Sequence, residues 1–63
     1  MDWFKVEMEI FLYGKEFDLV NAPDKETAEL IAIKKAEKKY ACNLMDIQII
    51  NCSKKIKGFW FEF

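Results

Sequence analysis

The N-terminal part of the chain alternates between apolar and polar positions with the two-residue period of a β-strand. Between residues 3 and 12 one parity is apolar throughout: Phe4, Val6, Met8, Ile10 and Leu12. Residues 13–15 follow as a turn whose glycine can adopt a positive φ angle. The alternation resumes over residues 16–20, where we expect Phe17 and Leu19 to face inward. The pattern predicts a β-hairpin.

A helix is predicted after this hairpin, from about Lys25 to Ala41. Pro23 cannot donate to a strand ladder, and Asp24 is a favourable N-cap residue. Small or aromatic residues recur every four positions: Ala28, Ala32, Ala36 and Tyr40. This stripe of alanines allows close approach to a sheet. Leu30 lies on the far side of the helix and is expected to be exposed.

Two further strands complete the fold. Residues 45–50 alternate and predict a third strand, and the polar, lysine-rich residues 51–57 predict a turn. In the fourth strand, residues 58–63, one face holds Phe59, Phe61 and Phe63, and the other holds Trp60 and Glu62. The phenylalanines are expected to face inward, although the reverse assignment would expose them instead.

The order ββαββ predicts a single α+β domain spanning residues 1–63. One helix packs on a four-stranded, mostly antiparallel sheet. A strand order of 2-1-3-4 makes every neighbouring pair antiparallel. No apolar run is long enough to span a membrane and no signal peptide is evident, so we expect a cytoplasmic protein with Cys42 and Cys52 as reduced thiols.

Composition adds two constraints. The chain is 52% hydrophobic and 16% aromatic, which is more apolar material than one small core can hide. The net charge is only −1, but the first 29 residues are acidic and the rest are basic. All ten basic residues are lysines, and without arginine a sequence-specific reader of nucleic acid is disfavoured.

The residues needed for catalysis are missing from the sequence. It contains no histidine for general base chemistry, no activated nucleophile and no glycine-rich phosphate loop. Two cysteines without histidine do not make a zinc site. We therefore predict a protein that is not an enzyme and that uses neither a cofactor nor a metal.

Two surfaces are candidates for protein binding. The first is aromatic and lies on the sheet face away from the helix: Trp3, Phe11 and Trp60, with Ile50 beside them and Tyr13 near the edge. These side chains form either a minor cluster or an interface, such as a homodimer contact. The second is an acidic ribbon on one sheet face: Glu7, Glu9, Glu16 and Asp18. It either protects the hairpin edge or docks on a basic protein surface.

Lysines offer an alternative contact with nucleic acid. The set comprises Lys34, Lys35, Lys38 and Lys39 on the helix and Lys54, Lys55 and Lys57 in the predicted turn. Such lysines either complement the helix dipole or contact phosphates, with Trp3 and Trp60 stacking on bases. The overall negative charge and the acids on the aromatic face oppose this alternative.

The stretch VNAPDKETAELIA, residues 20–32, follows a hairpin and opens a capped, alanine-rich helix. In this pattern the chain resembles small phage- and prophage-encoded α+β accessory proteins, the group that includes anti-CRISPR-type inhibitors. The resemblance implies a protein that occupies a host enzyme's surface. We therefore predict a non-enzymatic protein-binding module, in finer detail an anti-defence inhibitor of a host nucleic-acid-handling complex. The alternative is a small nucleic-acid-binding protein.

Overall fold

A computed structural model of the protein describes residues 1–62 and has the predicted ββαββ order. Its elements are β1 (Asp2–Ile10), β2 (Gly14–Ala22), α1 (Lys25–Tyr40), a 3-10 helix (Leu44–Asp46), β3 (Ile47–Ile56) and β4 (Phe59–Glu62). The sheet order β2-β1-β3-β4, with every neighbouring pair antiparallel, confirms the predicted topology. Within residues 1–62, no helix combines the length and the apolar character needed to cross a membrane.

The core lies between α1 and one side of the sheet, here called the helix side. β1 contributes its whole apolar parity, and α1 contributes its alanine stripe: Phe4, Val6, Met8, Ile10, Ala28, Ala32 and Ala36. The Asp24 carboxylate accepts a hydrogen bond of 2.8 Å from the Thr27 N–H and caps the helix. Hydrogen bonding from the Thr27 side chain, followed by that from its backbone N–H, lowers the pKa of Asp24. Leu30 is exposed, as predicted.

The faces of β2 are the reverse of the prediction. Asp18 pairs with Val6 and Glu16 pairs with Met8, so both acids lie on the helix side. Phe17 and Leu19, expected to face inward, lie on the opposite side and are exposed. Val20 and Ala22 share the parity of the two acids and are buried.

β3 extends through most of the segment predicted as a turn. Cys52 and Ser53 are buried within the strand, and the turn is only Lys57-Gly58. Glu7 of β1 pairs with Asn51, but the next residue, Met8, pairs with Ile49. Ile50 is therefore the extra residue of a β-bulge. The bulge exchanges the two parities along β3, so a single alternating pattern cannot describe the whole strand.

β4 has the predicted division of faces but not the predicted burial. Phe61 pairs with Lys54, which pairs with Phe4, so Phe59 and Phe61 are on the helix side. They are nevertheless 70% and 53% exposed. The reason is that α1 packs on β1, β2 and β3. The expectation of buried phenylalanines is therefore wrong for this pair, and Phe63 lies outside the described residues.

Candidate protein-binding face

The sheet side away from α1, here called the open face, carries large apolar side chains on all four strands. They are Trp3, Phe17, Leu19, Ile50 and Trp60, and each is between 38% and 61% exposed. The strand register places these side chains on the face of the sheet that does not carry the buried residues of β1 and β2. The prediction that Trp3 and Trp60 lie away from the helix is confirmed. Exposed apolar surface of this kind is typical of an interface.

One half of the open face is built around the two tryptophans. Trp3, Leu19, Lys55 and Trp60 line one shallow depression that crosses the sheet from β2 to β4. The Lys55 ammonium lies 6.0 Å from the centroid of the Trp60 ring. A lysine in this position covers the indole with its aliphatic stem and keeps its charge in water.

The other half of the open face is built around Phe17 and Ile50, which line a second depression together with Glu7 and Lys15. Lys5 lies between the two halves. Its ammonium is 5.2 Å from the centroid of the Phe17 ring and 3.7 Å from Glu7 Oε1. The open face therefore consists of two apolar patches, and Lys5, which is paired with Glu7, lies between them.

The acidic ribbon predicted on one face does not exist as a unit. Glu7 and Glu9 lie on the open face, whereas Glu16 and Asp18 lie on the helix side. The prediction failed because it assigned β2 the wrong parity.

Glu16 and Asp18 bind the protein's own helix. Glu16 Oε1 accepts a hydrogen bond from the Tyr40 hydroxyl and is 3.3 Å from Lys39 Nζ. Asp18 Oδ2 is 3.5 Å from Lys35 Nζ. The Tyr40 hydrogen bond, followed by that from Lys39, lowers the pKa of Glu16. These two acids therefore connect β2 to α1 through ion pairs and a hydrogen bond.

The candidate nucleic-acid lysines do not form one surface. Lys35 and Lys39 pair with β2 as described, and Lys54 is 3.4 Å from Asp2 Oδ2. Lys55 lies on the open face, and Lys57 lies in the turn before β4. The remaining two are exposed on α1: Lys34 and Lys38. A phosphate backbone cannot contact the whole set together, and three of its charges are already paired.

Phe11, predicted on the aromatic face, lies instead in the turn between β1 and β2. Its N–H donates a hydrogen bond of 2.9 Å to the Asp46 carbonyl, which brings the turn beside the 3-10 helix. The exposed apolar residues at this end of the protein form what we call the tip: Phe11, Leu12, Tyr13, Leu44 and Met45. The ring of Tyr13 lies against that of Tyr40, with centroids 4.6 Å apart.

Comparison with known proteins finds no matching family model, no matching curated protein and no matching solved structure. The resemblance to phage accessory proteins therefore stays a prediction. Within residues 1–62, no group of three or more His, Cys, Asp or Glu side chains is arranged to hold a metal ion.

Sequence reasoning missed Phe17 and Leu19 as members of the open face. A signal was present, because Val20 and Ala22 are apolar at the opposite parity of the same strand. Two apolar parities in one strand leave the pattern ambiguous. Lys35 and Lys39 are one helical turn apart and therefore lie on one side of α1. This spacing favours the parity of β2 that places Asp18 and Glu16 opposite the two lysines.

Proposed function

We propose that this protein is a protein-binding module whose open face docks on a folded partner. One observation carries the proposal, namely the set of five large apolar side chains that the fold leaves part-exposed on one sheet face. Tryptophan is enriched among the residues that dominate binding energy at interfaces, and Trp3 and Trp60 lie in the same depression.

The apolar contribution of these side chains to binding follows from the area that they expose. An aromatic side chain buries about 150–250 Å², so covering the exposed parts of Trp3, Phe17 and Trp60 removes roughly 300 Å² from water. At about 25 cal/mol per Å² this contributes about 7 kcal/mol before the cost of association. That cost is of similar size, so further contacts must supply the net affinity.

Charged contacts on the same face come from Glu7 and Glu9. Glu9 is exposed, and among residues 1–62 Glu7 forms an ion pair with Lys5 of the same strand. We expect Glu7→Lys together with Glu9→Lys to weaken partner binding without unfolding the domain, because neither side chain is buried. Affinity unchanged by this reversal would remove the acids from the contact.

A pair of leucines provides a matched test of the open face. Leu19 on the open face is 46% exposed and Leu30 on the outer side of α1 is 52% exposed. Tagged protein is used to capture partners from a bacterial lysate, and the capture is repeated with Leu19→Gln and Leu30→Gln. Loss of the captured protein with Leu19→Gln alone supports the proposal. Equal capture by both variants argues against it.

The finer hypothesis, an inhibitor of a nucleic-acid-handling host complex, concerns the identity of the partner. Nuclease treatment of the same lysate tests it. If a nucleic-acid-handling protein is still captured after nuclease treatment, the contact is with that protein itself, as the inhibitor hypothesis expects. Recovery of many such proteins, all lost after nuclease, favours contact with nucleic acid through the exposed lysines instead.

A further inference from the structure

β4 is an outer strand whose free edge presents unpaired backbone groups. The turn before it has two residues, both with positive φ: 51° at Lys57 and 86° at Gly58. In such a hairpin the residues flanking the turn, Ile56 and Phe59, exchange both backbone hydrogen bonds. The alternation then directs the N–H and C=O groups of Trp60 to the outer edge, and those of Glu62 likewise.

Apart from its short length of four residues, β4 has little of the protection that outer strands usually carry. Proteins also protect such edges with lysine, proline or projecting charges. β4 carries three aromatic residues and a single charge, and the exposed carboxylate that carries this charge is directed towards β3. The Glu62 carboxylate accepts a hydrogen bond of 2.7 Å from Asn51 Nδ2 on β3.

The other outer strand, β2, differs in this respect. It carries Lys15, Glu16 and Asp18, and two lysines of α1 reach over it to the acids. The two edges of the sheet are therefore unequal, and β4 is the one open to pairing.

We propose that two copies of this chain pair through β4, antiparallel and about a two-fold axis, and so join their sheets into one continuous sheet. The inference goes beyond the open-face proposal, because backbone groups of the strand edge make the contact, and the two surfaces share Trp60. A second copy fits this edge because an isologous contact needs a self-complementary strand. β4 satisfies that requirement, since aromatic residues project from both of its faces.

The outward backbone groups restrict the register. Pairing Trp60 with Trp60 of the second copy keeps the contact within residues 58–62. It also sets Phe59 opposite Phe61 of the second copy on the helix side. Glu62 then faces Gly58 of the second copy, which separates the two carboxylates. Aromatic pairs directly opposite one another stabilise neighbouring strands.

The exposed area sets the expected strength of the dimer. The exposed fractions of the three aromatic residues of β4 together equal about one and a half aromatic side chains, which is roughly 300 Å² per copy. Two copies approach, but do not reach, the roughly 1,000 Å² of a stable specific interface. We therefore expect reversible association with a Kd between about 1 µM and about 1 mM.

Amide hydrogen exchange of the full chain, measured from about 1 µM to about 1 mM, tests the geometry directly. The amides of Phe59 and Phe61 point to β3 and should be protected at all concentrations. The amides of Trp60 and Glu62 should gain protection as concentration rises, in parallel with a sedimentation weight approaching two chains. A single-chain weight at the highest concentration would overturn the proposal.

Glu62 offers a matched pair of variants. Glu62→Pro removes an outward N–H that β3 does not use, and it should hold the protein at one chain. Glu62→Ala loses the same Asn51 hydrogen bond but keeps the N–H, and it should dimerise like the wild type. Equal association of both variants, or equal loss in both, would overturn edge pairing. Far-UV circular dichroism checks folding, and if Glu62→Pro does not fold, Phe59→Lys serves in its place with an expected weakening of tenfold or more.

Discussion

Leu12 has a backbone conformation that leucine rarely adopts, and replacing it with glycine should stabilise the protein. Its φ angle is 75°, in the third position of a turn closed by a hydrogen bond from the Tyr13 N–H to the Ile10 carbonyl. A turn with positive φ at this position favours glycine or asparagine. The leucine side chain is 86% exposed and therefore gains little from burial.

The magnitude follows from three opposing contributions. The left-handed conformation costs an L-residue about 1–2 kcal/mol, and glycine avoids this cost. Glycine loses about 0.5–1 kcal/mol through the greater entropy of the unfolded chain. Truncating a leucine that is mostly exposed loses about 0.3 kcal/mol of burial. The free energy of unfolding should rise by about 0.5 kcal/mol, which corresponds to about 2–4 °C in Tm for a domain of this size.

Two control variants separate backbone strain from the side chain. Leu12→Ala removes the side chain but keeps the strained φ, so it should leave stability unchanged or slightly lower. Leu44→Gly makes the same substitution at a leucine that is 57% exposed and whose φ is not positive. It loses about 0.9 kcal/mol of burial in addition to the entropic cost of glycine, so it should cost about 1.5–2 kcal/mol. Urea denaturation at constant m-value measures all three. A loss of stability in Leu12→Gly equal to that in Leu44→Gly would refute the reasoning.

Three further predictions concern single groups. The Tyr40 hydrogen bond, followed by that from Lys39, lowers the folded pKa of Glu16, so its contribution is present above the unfolded pKa and should be lost as the pH falls through the folded pKa. Glu16→Gln should flatten that part of the stability profile, and an unchanged slope would show that the Tyr40 contact is not made in solution. Ala41 follows α1 with φ at 51°, and Ala41→Gly should raise the unfolding free energy by up to about 1 kcal/mol in the same urea assay. Burial raises the pKa of the Cys52 thiol, so iodoacetamide should alkylate the half-buried Cys42 first at neutral pH, as read by mass spectrometry; faster labelling of Cys52 would contradict the packing.

The topology could be predicted from the sequence because local signals agree with one another. β1 has one wholly apolar parity, Asp24 caps α1, and the alanine stripe fixes which side of the helix meets the sheet. With four strands and one helix in the order ββαββ, an antiparallel arrangement leaves few strand orders. The fold is therefore determined by patterns that can be recognised within single elements.

The faces of β2 and the length of β3 could not be predicted in the same way, because each depends on contacts between elements. Asp18 and Glu16 lie on the helix side, where Val20 and Ala22 of the same parity are buried and α1 presents lysines to the two acids. β3 changes parity at the Ile50 bulge, and a bulge leaves no two-residue period to detect. The open face was therefore identified through its tryptophans but not through Phe17 or Leu19.

The distribution of large side chains explains why so aromatic a chain has so small a core, and it gives a final prediction. α1 meets the sheet through alanines, so much of the aromatic surface remains on the open face, the β4 edge and the tip. Phe4 and Phe17 are a matched pair on adjacent strands, the first 2% and the second 61% exposed. Phe4→Ala should cost about 3–5 kcal/mol and leave a domain of this size largely unfolded, because its total stability is about that large. Phe17→Ala should cost about 1 kcal/mol, because most of its surface is already in water. Equal costs in urea denaturation would mean that the open face is a second core, and the argument for a binding surface would then fail.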